Sequence, residues 1–526
     1  MAAKIFKNLA DSCFIDYKSR KLLFDTTENK YLSYAHGYEL IKTVSNKLAS
    51  QGIRKGDFVL TFTPLCIESV VLCWACCYIG VVFVPVDHNW PGKLLRFILE
   101  ETSPKLVLTD PGRIDAFTGI SENCTVLLSG NQETKDDVRL FFEWLQQHPL
   151  QIAEKEAGIL PGDLAVILYT SGSTGLPKGV MLSQQALYNS GLLVARHFGW
   201  NCNDVFMNLG DLHTMSGLRN SCFSTLFAGA SFVVASPEER NNVLLLFKLV
   251  HGLGVHYLGV APTVIRQMNI IYSESRKNQV ATLKAVLCTG GPLAQDQLAT
   301  FYLNYGKPVL NYYGLTETAG LCAGHSFETF DPADNSIGVA VGADLIILPD
   351  GTVCCEEGAG ELLVKSQNLM SGYFNRREET ERVLKSGCFY TGDIVRKRDD
   401  GCFELLGRKR NIVKTVHSEL IYLEEIDNAL ESHPLVKEGC TCSYTRFEED
   451  EKIVAFIVLH GETTQTPQNI TNEIKKYLTE KVGKNRAPWC YYFEETLPRN
   501  TSGKIQRQDI KEKLHGYIQL HHKGYF

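Results

Sequence analysis

Residues 169–179 read YTSGSTGLPKG and directly follow the apolar run LAVIL at 164–168. Three glycines, four Ser or Thr hydroxyls and one lysine, Lys178, fall within this stretch. A strand that runs into such a loop directs backbone N–H groups, hydroxyl donors and a cation into one small volume, which suits a polyphosphate. A Walker loop needs Ser or Thr directly after its lysine, whereas Gly179 follows Lys178 here. The stretch predicts a phosphate-binding loop outside the kinase and GTPase class; the alternative is an ordinary Ser/Gly turn between a strand and a helix.

The bulk composition is that of a soluble globular protein. The chain has 526 residues, of which 44% are apolar and 21% charged, and its net charge is −6. This length predicts two to four structural units, and the interspersed charges give no indication of nucleic-acid binding. The 17 cysteines are scattered without zinc-ligand spacing, and the first residues lack a long apolar segment. We therefore expect reduced thiols, no signal peptide and a cytoplasmic location.

One apolar stretch has nearly the length of a short membrane span. Residues 70–86 carry no charge, but Gly80 and Pro85 interrupt them and the composition becomes β-branched at Val81. A strand of a parallel sheet that is covered on both faces also reads as continuously apolar. The stretch predicts a buried helix, a glycine turn and a buried strand, and no membrane span.

Strand-like and helix-like segments alternate along most of the chain. The predicted strands are 58–62, 81–84, 106–108, 231–234 and 285–287, and helical periodicity occurs at 91–101 and 241–253. This alternation predicts a doubly wound parallel sheet, whose ligands bind beyond the carboxyl ends of the strands.

The pattern changes in the last third of the chain. Short antiparallel strands are predicted at 343–348, 360–365 and 402–406, and a helix, a strand and a helix follow at 423–431, 452–460 and 467–482. The sequence thus predicts a large α/β body followed by a compact α+β lid.

Three further polar motifs accompany the glycine-rich loop. They are NYYGLTET at 311–318, YTGD at 390–393 followed by GRKR at 407–410, and PRNTSGKI at 498–505. Each alone also fits a capped strand end, a turn or an exposed basic loop. Together, in this order, they resemble the adenylate-forming superfamily of acyl- and aryl-CoA synthetases, luciferases and peptide-synthetase adenylation domains. The resemblance extends over essentially the whole chain.

The resemblance implies a fold and a reaction. Residues 1–409 would form the adenylation body, with a β-rich subdomain at about 340–409, and residues 410–526 a mobile lid with the catalytic lysine. A carboxylate would attack the α-phosphate of ATP to give an acyl-adenylate and pyrophosphate, and a thiol would then take the acyl group. This chemistry requires positioned cations and dipoles.

The resemblance also implies a role for each motif residue. Tyr313 would stack on adenine beside Gly314, Thr316 would contact the α-phosphate and Glu317 would hold Mg²⁺. Asp393 would accept hydrogen bonds from the ribose, with Arg408 beside it, and Lys504 would bridge the carboxylate and the phosphate. Arg410 stands at the hinge, where the family more often has Asp or Lys. The β- and γ-phosphates would be held by Thr170, Ser171, Gly172, Ser173, Thr174, Gly175 and Lys178.

The substrate pocket is predicted from a smaller set of residues: His213, Thr214, Gly290, Gly291 and Tyr312. The segment LHTMSGL at 212–218 resembles the His-containing motif of acyl- and aryl-CoA synthetases. Thr214 stands where peptide-synthetase domains have an Asp, so a buried α-ammonium would lack its counter-charge, although Asp211 lies close by. Tyr312 stands where many long-chain enzymes have Gly, which favours a small or aryl acid.

The acceptor thiol remains open at this stage. Val416, His417 and Ser418 replace one or two glycines that the family uses to let a pantetheine arm pass. The leading hypothesis is an ATP-dependent acid–thiol ligase with free CoA as acceptor. One alternative is a stand-alone enzyme that loads an aryl or amino acid onto a phosphopantetheinyl carrier protein. The other is a catalytically inactive binding protein of the same fold.

Overall fold

The structure is a computed structural model. It describes residues 3–120, 123–130, 139–146, 158–170, 176–349, 358–414, 420–445, 451–461, 465–483, 486–499 and 505–521.

The β-strands within these ranges are short, and their bounds in chain order are β1 Lys21–Asp25, β2 Lys30–Ser33, β3 Phe58–Phe62, β4 Val82–Pro85, β5 Leu106–Thr109, β6 Thr125–Leu128, β7 Arg139–Leu140, β8 Leu164–Thr170, β9 Lys178–Ser183, β10 Val205–Asn208, β11 Ser231–Val234, β12 Tyr257–Val260, β13 Ala285–Cys288, β14 Val309–Leu315, β15 Gly320–Gly324, β16 Val339–Ala340, β17 Asp344–Leu348, β18 Ala359–Lys365, β19 Gly372–Tyr373, β20 Leu384–Lys385, β21 Cys388–Lys397, β22 Phe403–Arg408, β23 Ile412–Lys414, β24 Leu420–Tyr422, β25 Val436–Thr445, β26 Glu451–Leu459 and β27 Cys490–Phe493.

The α-helices within the same ranges are α1 Phe6–Asp16, α2 Tyr34–Ser50, α3 Ile67–Ile79, α4 Gly92–Thr102, α5 Phe141–Gln146, α6 Gln184–His197, α7 Met215–Arg219, α8 Thr225–Ala228, α9 Pro237–Asn241, α10 Val243–Leu253, α11 Pro262–Ile270, α12 Glu274–Gln279, α13 Gln295–Tyr305, α14 Arg377–Val383, α15 Leu423–Glu431, α16 Pro467–Val482 and α17 Arg507–His521.

Two large mixed sheets form the body. The order is β16-β15-β14-β13-β12-β10-β11-β1-β2 in one and β19-β9-β8-β4-β3-β5-β6-β7 in the other. Their central strands are parallel and joined through helices, so the predicted doubly wound arrangement is confirmed. The outer parts of the sheets differ from the prediction, because β9, β15 and β2 pair antiparallel with β8, β14 and β1.

The antiparallel edge changes the setting of the glycine-rich loop. Strands β8 and β9 form a hairpin in which Thr170 pairs with Lys178, and residues 171–175 lie outside the described ranges. The loop therefore joins two strands of a sheet, not a strand and a helix. Because β8 is parallel to β4, its last residue, Thr170, lies at the carboxyl end of the sheet, where the sequence predicts that the loop begins.

The apolar run at 70–86 forms the predicted helix, turn and strand. Helix α3 is almost entirely buried and ends at Gly80, whose φ of +76° starts the turn into β4. A left-handed residue at this position favours glycine, which has no Cβ to clash with the backbone. None of the helices in the described part of the chain is long and apolar enough to cross a membrane.

The predicted helix at 241–253 is interrupted at its first turn. Asn242 is extended, with φ −112° and ψ 104°, and it separates α9 from α10. Its side chain accepts hydrogen bonds from the N–H groups of Leu244 and Leu245. The side-chain cap thus replaces the backbone hydrogen bonds that a continuous helix would make.

The predicted antiparallel strands near residues 340–409 form one sheet of five strands. Its order is β17-β18-β21-β20, with β22 paired to the other part of β21. The ladder between β21 and β22 sets Asp393 directly opposite Arg408. This register brings the YTGD and GRKR motifs together.

The C-terminal part begins after a 3₁₀ turn at Lys409–Asn411. The predicted helices at 423–431 and 467–482 are found with those bounds, and the strand at 452–460 is β26. Arg266 of α11 contacts this part through the Glu431 carboxylate at 2.5 Å and the Lys437 carbonyl at 3.1 Å. Residues 500–504 of the last motif lie outside the described ranges.

Candidate active site

The NYYGLTET motif forms the end of β14 and a tight turn beyond it. Thr316, Glu317 and Thr318 make a 3₁₀ turn, and the Thr318 hydroxyl accepts a hydrogen bond from Leu315 N–H at 3.0 Å. A Cβ at position 314 would overlap the carbonyl oxygen of Gly320. Only glycine at 314 therefore allows the chain to fold back so closely, and the turn presents Thr316 and Glu317 at the carboxyl end of the sheet.

A buried carboxylate joins this motif to the five-stranded sheet. Asp393 is 1% exposed, and its Oδ2 accepts a hydrogen bond from the Tyr313 hydroxyl at 2.5 Å. Its Oδ1 lies 2.7 Å from Nε of Arg408. Burial, together with the Asp393 charge, raises the pKa of Tyr313 well above its ordinary value, so the hydroxyl stays a donor. The structure thus brings together three residues that the sequence assigns to nucleotide binding.

A second chain of contacts links Glu317 to Lys178. The Tyr373 hydroxyl donates a hydrogen bond to Oε1 of Glu317 at 2.8 Å. Nζ of Lys178 lies 5.3 Å from the centre of the Tyr373 ring and forms an ion pair with Glu379. Burial and the Glu317 carboxylate raise the pKa of Tyr373, which keeps its proton. Lys178 and Glu317 therefore contact the same tyrosine.

Sequence reasoning missed two members of this chain. Tyr373 lies in the motif GYFN at 372–375, but nothing in that motif indicates a bond to Glu317. Glu379 lies in the charged helix α14, to which the sequence analysis assigned no part of the site. Its contact with Lys178 depends on strand β19 packing against β9.

The candidate pocket residues are placed around the ends of β13, β14 and α7. Gly290 adopts φ +93°, and a Cβ at this position would meet no atom within 4 Å, so open space lies in front of it. A Cβ at the neighbouring Gly291 would have only Pro262 within that distance. Tyr312 is buried and packs edge-on against Phe198, with ring centres 5.7 Å apart.

His213 and Thr214 have partners of their own. Nε2 of His213 lies 3.5 Å from Oδ2 of Asp87, a buried carboxylate that sequence reasoning did not connect with it. The Thr214 hydroxyl caps α7 by accepting from Gly217 N–H. Asp211 is paired with Arg240 at 2.7 Å and accepts from Leu65 N–H at 2.9 Å. Its charge is therefore balanced within the protein.

Several predicted site residues fall outside this geometry. Residues 171–175, Val416, His417, Ser418 and Lys504 lie outside the described ranges. Arg410 is exposed within the 3₁₀ turn that separates β22 from β23.

Family profiles match most of the chain. The profile described as AMP-binding enzyme matches residues 14–374, and the profile of the AMP-binding enzyme C-terminal domain matches 425–504. The chain belongs to the AMP-binding enzyme family. The resemblance inferred from the motifs is therefore confirmed.

Curated relatives of this AMP-binding enzyme align over nearly their full length. It is 26% identical over 480 residues to a 2-succinylbenzoate–CoA ligase of a Geobacillus species, covering 91% of this chain and 92% of the relative. It is also 26% identical over 496 residues to the 2-succinylbenzoate–CoA ligase of Bacillus subtilis, covering 93% and 95%.

Solved structures agree with the fold of this AMP-binding enzyme. ATP-bound MatB from Rhodopseudomonas palustris superposes with a TM-score of 0.85 at 24% identity, over 98% of this chain and 99% of that chain. The o-succinylbenzoate CoA synthetase of Bacillus subtilis in complex with the acyl-adenylate OSB-AMP gives 0.82 at 24% identity, over 96% and 98%. At these identities the likeness establishes the fold, and the predicted fold class is confirmed.

The side chains of this AMP-binding enzyme also suit a hard cation. Oε1 of Glu317 is held by Tyr373, and Oε2 has no partner among the described residues. A carboxylate oxygen that is oriented in this way at the end of a sheet is the ligand type that Mg²⁺ prefers. This oxygen is compatible with the metal role of Glu317, which stays a prediction.

Proposed function

We propose that this protein is an ATP-dependent carboxylic acid–CoA ligase that works through an acyl-adenylate. The observation that carries the proposal is the convergence of Glu317, Tyr313, Asp393 and Arg408 at the end of β14. Membership of the AMP-binding enzyme family and the near full-length likeness to CoA ligases support it.

In the first step a carboxylate oxygen of the acid attacks the α-phosphorus, and the P–O bond to pyrophosphate breaks. Both reactants are anionic, so cations and aligned dipoles must offset their repulsion. We assign Thr316 to the α-phosphate and Thr170, Lys178 and residues 171–175 to the departing pyrophosphate. Lys504 would bridge the attacking carboxylate and the phosphate.

The nucleotide would be held by the buried carboxylate group. Each oxygen of Asp393 has two lone pairs, and Tyr313 and Arg408 use one on each side. We assign the ribose hydroxyls to Asp393, whose position Tyr313 and Arg408 fix from two sides. Tyr313 would offer its ring to adenine, and Gly314 lets the chain fold back closely beside it.

Glu317 would hold Mg²⁺, whose charge lowers the barrier to displacement at phosphorus. Tyr373 fixes the orientation of that carboxylate by donating to Oε1. Its own burial keeps the hydroxyl protonated, because the pKa is raised.

In the second step the CoA thiol first loses its proton. The thiolate then attacks the acyl carbonyl carbon, the S–C bond forms, and the C–O bond to AMP breaks. We propose residues 1–409 as the body, with its β-rich part at about 340–409, and residues 410–526 as a lid that turns about Arg410 between the two steps. The short 3₁₀ turn at 409–411 and the exposure of Arg410 support a hinge at this place.

The pocket favours a small or aryl acid without an α-ammonium group. We assign one side of the pocket to the buried Tyr312 ring, which packs against Phe198, and His213, Thr214, Gly290 and Gly291 are our candidates for the remaining wall. Asp211, whose backbone carbonyl accepts from the Thr214 hydroxyl, is already neutralised by Arg240. A buried ammonium without its own counter-charge would cost several kcal/mol.

We place the protein in a reducing compartment, the cytoplasm. The cysteines within the described ranges are free thiols, and most are buried. Buried thiols of this kind persist where glutathione keeps them reduced.

The test is acid-dependent ATP–pyrophosphate exchange with a panel of small aliphatic and aryl acids. We expect exchange with at least one acid, and we expect Lys504→Ala to abolish it while ATP binding survives. Lys513→Ala, which changes an exposed lysine of α17, is the matched control. Exchange that survives in Lys504→Ala contradicts the catalytic assignment, and a wild type that is inert with every acid favours the non-catalytic alternative.

A second assay identifies the acceptor. The acyl-adenylate formed from the active acid is offered to CoA and, separately, to a phosphopantetheinylated carrier protein. Thioester formation with CoA supports the proposal. Transfer to the carrier protein alone would replace it with the carrier-loading function.

A further inference from the structure

A row of alternating charges connects the two strands that enter and leave the glycine-rich loop. Oε2 of Glu379 on α14 pairs with Nζ of Lys178 in β9, and Oε1 of the same carboxylate lies 3.9 Å from Nε of Arg376. Nη1 of Arg376 lies 3.2 Å from Oε1 of Glu101 on α4. Oε2 of Glu101 accepts a hydrogen bond from the hydroxyl of Tyr169 in β8 at 2.7 Å. Each carboxylate in this row therefore faces two different groups.

The Glu101 end of the row is firmly held. The side chain of Glu101 is 8% exposed, and its two oxygens contact Tyr169 and Arg376. Burial, together with the hydrogen bond to Glu101, raises the pKa of Tyr169, so its hydroxyl stays a donor. The ring of Phe97, one turn earlier on α4, has its centre 5.6 Å from Cζ of Arg376. These contacts fix the guanidinium against α4.

The contact between Arg376 and Glu379 is incomplete by comparison. At 3.9 Å the two groups attract each other without a hydrogen bond, whereas a charge-assisted hydrogen bond spans about 2.8 Å. The two side chains are 29% and 27% exposed, and Arg376 lines a cavity of about 540 Å³ together with Met181 and Tyr373. Because neither charged group is enclosed by packing, a shift of the carboxylate by about 1 Å would complete the bond.

Glu379 thus faces two cations with different roles. Lys178 opens β9 directly after the glycine-rich loop, and we assign it to the departing pyrophosphate. Arg376 immediately precedes α14 and contacts α4, away from that assignment. Phosphate and the Glu379 carboxylate repel each other when both approach one ammonium group. Once phosphate takes Lys178, Arg376 is the other described cation that faces Glu379.

We propose that Arg376 is a positioning residue that takes over the Glu379 carboxylate when the phosphates of ATP bind Lys178. In the free protein Glu379 holds Lys178 beside the loop. On binding of ATP the carboxylate moves from Nζ of Lys178 to Nε of Arg376, and no covalent bond changes. Glu101 keeps Arg376 in the place where it receives the carboxylate. This inference rests on the proposed binding of ATP at Lys178.

The transfer predicts an energetic coupling between Arg376 and Glu379. A partly exposed ion pair changes an equilibrium by about two- to fivefold, so Arg376 should lower the cost of releasing Glu379 by that factor. Without the Glu379 charge there is no carboxylate to release. Arg376 should then have no effect on the affinity for ATP.

The test is a double-mutant cycle on the Kd for ATP, measured by calorimetry. In the wild-type background Arg376→Gln should raise the Kd about two- to fivefold. In the Glu379→Gln background the same change should leave the Kd unchanged. Arg376→Lys should recover part of the affinity, since it keeps the charge but not the planar guanidinium. The matched control is Arg377→Gln, which changes an exposed arginine paired with Glu381 and should leave the Kd unchanged.

Thermal stability separates this role from a merely structural one. Arg376→Gln removes the counter-charge of the largely buried Glu101, so Tm should fall by a similar amount in both backgrounds. The kcat of pyrophosphate exchange should stay constant, because we assign neither Arg376 nor Glu379 to the reacting groups. If Arg376→Gln does not fold, the cycle is repeated with Glu101→Gln present, where no buried carboxylate loses its partner.

The failures are distinguishable. An equal rise of the Kd in both backgrounds means that Arg376 attracts ATP directly or supports the loop, and it overturns the transfer. An unchanged Kd for Arg376→Gln in the wild-type background overturns it as well. A wild type that does not bind ATP overturns the proposed function and this inference together. ATP binding without exchange for any acid contradicts the proposed function alone.

Discussion

Neutralising Glu379 should strengthen the binding of ATP. In the structure Nζ of Lys178, our candidate for the pyrophosphate group, forms an ion pair with Glu379. ATP must therefore compete with this carboxylate for the lysine. The change Glu379→Gln keeps the shape of the side chain and removes the charge.

The size of the effect follows from two contributions. The side chains of Lys178 and Glu379 are 19% and 27% exposed, and partly exposed ion pairs contribute about 0.5–1 kcal/mol. A phosphate charge about 6 Å from Glu379 would add roughly 0.7 kcal/mol of repulsion in water-like dielectric. Because the two contributions overlap, we expect a gain of about 1–1.5 kcal/mol, which corresponds to a five- to tenfold lower KM for ATP.

The assay is the KM for ATP in pyrophosphate exchange at saturating acid, together with the Kd for ATP by calorimetry. Glu381→Gln is the control, since Glu381 lies on the same helix and pairs at 2.7 Å with the exposed Arg377. The difference between the variants should shrink at high salt, where charges are screened. An unchanged or higher KM in Glu379→Gln, or an equal decrease in Glu381→Gln, would refute the competition.

Two further predictions concern buried charges elsewhere in the protein. Asp393→Asn leaves Arg408 without its counter-charge, so urea denaturation should show a free energy of unfolding lower by about 2–3 kcal/mol. This is less than the full cost of breaking a buried pair, because Arg408 is 32% exposed. The affinity for ATP should fall as well, and an unchanged denaturation midpoint would contradict the role of Asp393. The pKa values of His88 and His197 are lowered, mainly by burial, so the unfolded chain takes up protons first as the pH falls below about 6.5. Stability should therefore be full above that pH and decline below it, by up to about 1.4 kcal/mol per histidine and pH unit. Urea unfolding at pH 7.5 and 5.5 measures this decline in the free energy of unfolding, which should be smaller in His197→Gln than in the wild type. An equal decline in the variant and the wild type would assign the pH dependence to other groups.

Local sequence patterns predicted much of the fold. Helices α15 and α16 have the bounds that apolar periodicity predicts, because each buries one face; α16 in addition begins at a Thr466 cap and is followed by Gly483. The run at 70–86 was also readable, since Gly80 marks the turn between helix and strand. The break between α9 and α10 at Asn242 could not be predicted, because a side-chain cap inside a helical pattern leaves the apolar periodicity intact.

The candidate site was predicted to a different degree. The motifs identified Tyr313, Glu317, Asp393 and Arg408 through resemblance, and the structure brings the first, third and fourth into direct contact. The roles of residues 171–175 and Lys504 stay predictions. No motif indicated the bond between Tyr373 and Glu317 or the ion pair between Lys178 and Glu379.

The sequence by itself determined the glycine-rich loop motif, the family and the alternation of strands and helices, because these depend on neighbours along the chain. Only the tertiary structure decided that β8 and β9 form a hairpin, that Glu379 holds Lys178 and that Tyr373 orients Glu317. The physical reason is that burial and charge pairing depend on which distant segments pack together. The electrostatic free energy of a charged side chain depends on its distance from water and from the other charges, and the fold sets both distances.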